Sequence, residues 1–325
     1  MLSFNTLTKT CLAVSLLLVS VGLRSEPMID DNTFKLGFGV KGQTPTNVVI
    51  ADIQVPGTAG DPEWTLAEWY SQTTMAYYSG NWETITEFKW ADAYKAVYVS
   101  TNPSNSYDLR LAINADNEYG GVYRTANDPW PHLLVGQRVN KSHHQSLGEM
   151  TSLKLKFDAK LHYHNPNIKA GYNPSIHAAQ FVMFYTVQNL NTSSAGYGDY
   201  LWLGIPIFDS RYPTLTQSSH IDGGNPNKPG TGKLIYRLAS SSVTTGTLHG
   251  GNWTAFDTDL LPLAKGALDY AWENDLLQDS TSYNDYYIGG MNSGWEVPGL
   301  DIATVDLKNL KLDFYSPEFP PPVGC

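Results

Sequence analysis

Two cysteines in 325 residues is a small supply, and neither is well placed to brace a fold. Cys11 precedes an apolar stretch near the N-terminus and Cys325 is the last residue. A chain that loses its leader keeps one thiol, so no internal disulfide can form and the fold must rest on its apolar core. Charge is sparse at 16%, and positive charge is the scarcer sign: 21 Lys and Arg against 31 Asp and Glu give a net −10. That balance disfavours nucleic acid and anionic membrane surfaces, which are bound through dense Lys and Arg. It also argues against a strongly anionic polysaccharide unless a local basic groove overrides it.

Long apolar runs are scarce too. The one at residues 12–21 (LAVSLLLVSV) is far short of the roughly 20 residues a spanning helix needs. With Lys9 before it and small Ser20 and Gly22 at its end, it reads as a signal peptide over residues 1–25, cleaved near 22–25. Cys11 lies ahead of the run and cannot serve as a lipid anchor. A secreted or periplasmic protein with no membrane span is expected.

Tyr, Trp, Asn, Ser, Thr and Gly are abundant, the composition of many short strands joined by turns. Over residues 153–164 the odd positions are Leu153, Leu155, Phe157, Ala159, Leu161 and Tyr163, and the even ones are polar, which predicts a strand with one wet face. Phe34, Leu36, Phe38 and Val40 repeat the pattern, as do Tyr107, Leu109, Leu111 and Ile113. Residues 181–187 and 200–208 are apolar on both faces and read as central strands joined by a long polar hairpin. Ala303, Val305 and Leu307 share one parity, and Leu310, Leu312 and Phe314 the other, so a bulge near Lys308 and Asn309 is expected. A helix is predicted over about residues 260–277, with Asp259 as N-cap and Pro262 in its first turn, and a second near 63–70. The expectation is an all-β chain: one jelly-roll or concanavalin-like β-sandwich over 26–315, with one or two peripheral helices and a Pro-rich tail over 316–325.

The segment Gly294-Trp295-Glu296-Val297 places a carboxylate beside an indole just before the last strand. A Trp face can pack on a pyranose ring, and a carboxylate can accept hydrogen bonds from sugar or donate a proton to it. Gly294-x-Glu296 followed by a final strand resembles glycoside hydrolases of family 12, jelly-roll enzymes whose acid/base Glu lies in a short Gly-x-Glu motif near the C-terminus. Residues 181–187, the hairpin, and Asp199-Tyr200-Leu201-Trp202 are similar to that family's nucleophile strand in order and spacing. With Trp202 aligned to the family's Trp, however, the nucleophile position falls on Gly198. The resemblance implies the fold, a polysaccharide or oligosaccharide ligand, and Glu296 as acid/base. Asp199, Asp209 and Glu149 are candidates for a second carboxylate, and Trp295, Trp202, Tyr200 and Asn292 for sugar contacts.

A second stretch, Lys169-Ala170-Gly171-Tyr172-Asn173 with His177 beyond it, resembles a motif of jelly-roll alginate lyases in reversed order. It makes Tyr172 and His177 candidate proton-transfer groups. His162 and His164 share a strand face at metal-binding spacing, but neither Cys nor an HExxH helix supports them, and no metal site is assigned. Asn114, Asp116 and Glu118 put hard oxygens on alternating positions, half of a calcium loop or a simple Asx turn, so Ca2+ is the one cofactor left open. Of the nine Trp, most of Trp64, Trp69, Trp82, Trp90 and Trp130 are expected in the core, with two or three left to line a groove. Three readings follow: a glycan hydrolase, a non-catalytic carbohydrate-binding protein, and a surface adhesion protein, with a polysaccharide lyase as a further alternative.

Overall fold

The computed structural model describes residues 23–102, 106–139, 145–225 and 227–317. Two large sheets lie face to face. The larger runs, in spatial order, β13 (Ser218–Ile221), β16 (Leu234–Arg237), β12 (Tyr200–Asp209), β11 (Gln180–Asn189), β18 (Tyr286–Glu296), β9 (His132–Arg138), β4 (Trp64–Ala67), β2 (Phe38–Gly42) and β3 (Ala51–Ile53). The other runs β17 (Thr254–Asp259), β10 (Ser152–Asn165), β19 (Ile302–Pro317), β8 (Leu109–Asn114), β7 (Lys95–Ser100), β6 (Glu87–Ala91) and β5 (Asn81–Thr84). β1 (Leu23–Pro27) also pairs with β19, and β14 (Gly224–Asn225) with β15 (Lys228–Pro229) makes a separate ribbon. The expected leader lies outside the described residues, apart from Leu23, Arg24 and Ser25, which pair in β1. Ser316 and Pro317, placed in the tail on sequence, belong to β19, and the rest of the tail with Cys325 lies outside the described residues.

The core between the sheets follows the alternation read from sequence. Leu153, Leu155, Phe157, Ala159 and Leu161 of β10 are buried while Lys154, Lys156 and His162 are exposed. The pattern breaks at Tyr163, which is exposed, because the pairing with β19 shifts register between Leu161 and Tyr163. The expected bulge in β19 is present: register slips between the pairs Lys156–Lys311 and Asp158–Lys308, and Asn309 sits at φ 59°. Through that slip Ala303, Val305, Leu307, Leu310, Leu312 and Phe314 all face the core despite their opposite parities. β11 and β12 lie in the middle of the larger sheet, as their two-sided apolar sequences require.

The long helix α2 (Leu260–Glu273), which follows the short α1 (Ala115–Glu118), starts where expected. The Asp259 carboxylate accepts from Leu261 N at 3.1 Å and from Leu153 N and Ser152 Oγ, which stitches the helix start to β10. The helix expected over 63–70 is instead β4, paired with β9 and, in parallel, with β2. Its Trp64 and Leu66 are fully buried, so pairing and burial at both neighbours decide the segment over its weak helical spacing. Phe34, expected in a strand, lies in a turn at φ 59° ahead of β2.

Candidate functional site

The register of the larger sheet sorts the candidates. In β18, Trp295, Ser293 and Met291 point inward; Glu296, Gly294, Asn292 and Gly290 point to the outer face. Trp295, a candidate sugar platform, is fully buried. It packs edge-on against Phe181 and Phe208 and donates its Nε1–H to the Leu111 carbonyl of the opposite sheet at 2.9 Å. It is a tie between the sheets, not a ligand contact. Glu296, one residue on, faces the other way and its side chain is 23% exposed.

Glu296 sits among aromatics. Trp130 donates its Nε1–H to Glu296 Oε2 at 3.1 Å, and His132 Nε2 lies 3.6 Å from the same oxygen. His132 pairs directly across from Glu296 in β9, and Trp130 stacks on it with ring centroids 5.9 Å apart. Trp69 and Tyr70, just past β4, tilt onto the same imidazole at 5.8 and 6.0 Å. The buried Arg124 guanidinium lies 5.0 Å from the Trp130 ring, its nitrogens donating to the carbonyls of Ala126, Asp128 and Ile176. Of these five residues only Trp69 and Trp130 stood out on sequence, within a longer set of aromatics. His132 and Arg124 gave no motif, because the register that brings them to Glu296 is set by pairing over more than a hundred residues.

Asp209 occupies the same row as Glu296 with Gln180 between them, two strand spacings or about 9.5 Å away at the backbone. Its carboxylate is buried and fully engaged. Arg211 donates to it from N, Nε and Nη2 at 3.0, 2.9 and 2.7 Å, and Gln180 Nε2 at 2.7 Å. Burial alone would raise its pKa, but the Arg211 bonds and charge outweigh that and hold it below the usual carboxylate range. This is an ion pair that fixes a turn, so the expected catalytic role for Asp209 is corrected.

Asp199 stands at the opposite end of the β11–β12 hairpin, its carbonyl bonded to Asn189 N and its carboxylate to Lys233 Nζ at 3.0 Å. Nine residues of β11 separate it from the Glu296 row, roughly 30 Å of strand, so the two cannot act on one bond. Glu149 caps its own turn through Ser146. Each of the three carboxylates anticipated from sequence as a partner for Glu296 is thus engaged in the fold, Asp209 by Arg211, Asp199 by Lys233 and Glu149 by Ser146.

His177 is buried with both ring nitrogens occupied: Asn173 N–H donates to Nδ1 at 2.9 Å, and Nε2 meets the Arg124 carbonyl at 3.0 Å. With both nitrogens held by backbone groups and the ring stacked on Tyr123, His177 presents no free nitrogen to a substrate, which weighs against the Tyr172–His177 lyase pair. Half-buried Tyr172 has its pKa raised by burial and by nearby Asp301. His162 and His164 have separate partners, Arg110 with Asp306 and Asp301 respectively. Asn114 caps α1, Asp116 pairs with Lys169, and buried Glu118 accepts from Ser71 and Gln72, so the half calcium loop does not converge on one point. Among the described residues no group of three or more His, Cys, Asp or Glu is arranged to hold a metal.

Beyond Glu296 the outer face continues along the strands. Asn292 lies opposite Gly136 and Phe184, and farther along Trp202 lies opposite Thr186 with Tyr200 beyond it. Six residues of β11 separate the Glu296 row from Trp202, about 20 Å. Glycines recur along this face: Gly136, Gly204, Gly290 and Gly294. At Gly204 a Cβ would meet the Phe184 ring at 2.6 Å, and at Gly294, with φ +152°, it would meet the Leu133 carbonyl at 2.0 Å. Arg237, on β16 opposite Gly204, is drawn electrostatically to Glu296 and Asp209, while burial lowers its pKa.

Four buried polar atoms on or beside this face make no hydrogen bond to another described residue: Trp69 Nε1, His132 Nδ1, Asn292 Oδ1 and Arg237 Nε.

No protein-family model matches the chain, and no curated protein matches it. Solved structures do. A family 12 xyloglucanase from Bacillus licheniformis is 10% identical, with a TM-score of 0.41, over 73% of this chain and 99% of its own. The endoglucanase cel12A of Rhodothermus marinus is 11% identical with a TM-score of 0.36, over 74% and 97%. A family 11 xylanase from Neocallimastix patriciarum is 10% identical with a TM-score of 0.35, over 70% and 90%. The likeness is distant and lies in the two-sheet sandwich; at such scores it says nothing of chemistry.

Proposed function

We propose that the outer face of the larger sheet binds a neutral polysaccharide, with Glu296 as a hydrogen-bonding carboxylate and without hydrolysis. The observation that carries the reading is the gathering of partly exposed rings, Trp69, Tyr70 and Trp130, with His132 around the Glu296 carboxylate. A buried donor or acceptor left unmade costs about 1–3 kcal/mol, and four such atoms among the described residues lie on or beside this face, so small side-chain movements that open them to sugar hydroxyls would be offset by the bonds formed. Trp69 Nε1 and Arg237 Nε can only donate, Asn292 Oδ1 can only accept, and His132 Nδ1 does either according to tautomer. Sugar hydroxyls both donate and accept, which suits so mixed a set. Trp130, Tyr70 and, about 20 Å away, Trp202 are partly exposed on this face, where their rings can meet pyranose C–H surfaces.

Charge gives no strong pull toward an anionic glycan. Among the described residues Arg124, Arg211 and Arg237 face Asp128, Asp209 and Glu296, which leaves Arg138, paired with Gly290 at the far end of β9, as a cation on this face outside those pairs. Binding is favoured over hydrolysis because both retaining and inverting mechanisms need a second free carboxylate, and the one in the same row is locked by Arg211 and Gln180.

Affinity electrophoresis against xyloglucan, cellulose derivatives and xylan, the polymer classes named for the similar structures, beside a uronate-rich polymer, tests this. A neutral polymer is expected to retard the wild type, and Trp130→Ala to weaken that at least about tenfold, or 1.4 kcal/mol. No reducing sugar is expected from wild type or Glu296→Gln. Release by the wild type that Glu296→Gln abolishes would replace binding with hydrolysis, and retardation by the uronate polymer alone would overturn the neutral ligand.

A further inference from the structure

Lys95 opens β7, in the smaller sheet, yet its ammonium is fully buried beneath the loop that carries Trp69 and Tyr70 from the larger one. Its Nζ lies 2.9 Å from Ser71 Oγ, 2.8 Å from the Thr73 carbonyl, 3.0 Å from Thr73 Oγ1, 3.0 Å from Asp92 Oδ2 and 3.4 Å from Glu68 Oε1. The loop is fastened at both ends through the same cluster. Glu68 accepts from Thr74 Oγ1 at 2.6 Å and from Met75 N at 2.9 Å. Glu118 of α1 accepts from Ser71 Oγ at 2.5 Å and from Gln72 N at 2.7 Å.

The loop alternates in the direction its side chains take. Glu68, Ser71 and Thr73 turn toward Lys95, whereas Trp69 and Tyr70 rest on His132. Tyr70 holds φ +59°, a left-handed conformation that an aromatic residue adopts only when its surroundings impose it. The restraints at hand are the Tyr70 N–H to the Gln43 carbonyl at 2.8 Å, Gln43 Nε2 to the Ser71 carbonyl at 2.8 Å, and the Lys95 cluster next to it. A buried ammonium must keep its acceptors, since leaving it unpaired is far costlier than leaving a neutral group so. The loop therefore cannot relax without breaking the cluster.

We propose that Lys95 is a positioning residue for the outer face: by gathering Glu68, Ser71, Thr73 and Asp92 it holds the 68–74 loop so that Trp69 and Tyr70 stay on His132. That these two rings meet a ligand rests on the polysaccharide reading; the clamp itself does not. The test uses no glycan, so its failure leaves that reading standing, and failure of the reading leaves the clamp standing.

Amide hydrogen exchange and indole 15N spectra of the full chain are compared for wild type, Lys95→Met and the milder Ser71→Ala/Thr73→Ala, which keeps the ammonium paired with Asp92. Exchange in 68–75 is expected to accelerate at least tenfold while β11 and β18 keep their protection. The Trp69 indole resonance is expected to shift or broaden, with that of Trp295 unmoved. The milder variant gives the same pattern at smaller size and decides the matter if Lys95→Met fails to fold. Folded variants with an unchanged Trp69 signal and unchanged loop exchange overturn the proposal. So does acceleration spread evenly over both sheets, which would make Lys95 a general stabiliser.

Discussion

Trp295 and Glu296 are neighbours on an extended strand, and neighbours on a strand face opposite ways. If one lies on the outer face the other lies in the core, so a motif that joins them as a sugar site is inconsistent with its own periodicity. That much was legible in the residues themselves. Which of the two faces inward was not, because it depends on Trp295 reaching the Leu111 carbonyl of the other sheet. Replacing a fully buried indole leaves a large cavity and an orphaned carbonyl, so Trp295→Ala is expected to cost about 3–5 kcal/mol by denaturant unfolding. Trp130→Ala, half-buried on the outer face, is expected to cost much less. Equal losses would mean that the two rings are not divided between core and outer face.

At the scale of elements, legibility followed locality. The start of α2 was readable because Asp259 caps it with its own side chain. The β19 bulge was readable because a change of parity within one strand has a single remedy. β4 was not, since its pairing partners lie in β9 and β2 and only their burial of Trp64 and Leu66 makes a strand of it. The same distinction explains why the β11–β12 hairpin was foreseen while Asp199 was misplaced: hairpin order fixes which strands pair, and strand length puts its two ends about 30 Å apart. Asn309 supplies the left-handed residue of the β19 bulge at φ 59°, with its Nδ2 bonded to Asp158 at 2.7 Å. Asn309→Gly is expected to lose about 1 kcal/mol or less, and Asn309→Val at least twice that, because a β-branched side chain resists positive φ. Thermal unfolding of the pair measures the difference, and a Val variant as stable as the Gly variant would remove the bulge's role.

For the whole molecule, acid stability follows from the ionisable groups that the sandwich encloses. Asp209 is held below its ordinary value of 3.8, so the unfolded chain takes up its proton first as pH falls. Its contribution is fully present above about pH 4–5 and is lost as pH drops through the lower folded value. Glu68 and Glu118 run the other way: burial raises both above the ordinary 4.5, so the folded chain binds their protons first and their cost fades as pH falls toward that value. Asp209→Asn is therefore expected to destabilise the protein at pH 7, with the gap to wild type narrowing as pH falls below the ordinary 3.8. Urea midpoints across that range check it, and a pH-independent gap would contradict it.

The account of the outer face is tested most directly by titrating a neutral glycan, xyloglucan oligosaccharide first, into 15N-labelled protein and following the indole N–H signals. The Trp69 and Trp130 resonances are expected to move in a saturable manner while those of buried Trp64 and Trp295 stay fixed. Saturable binding that leaves Trp69 and Trp130 unmoved, or no response from any indole to any neutral glycan in the panel, would contradict the assignment of this face.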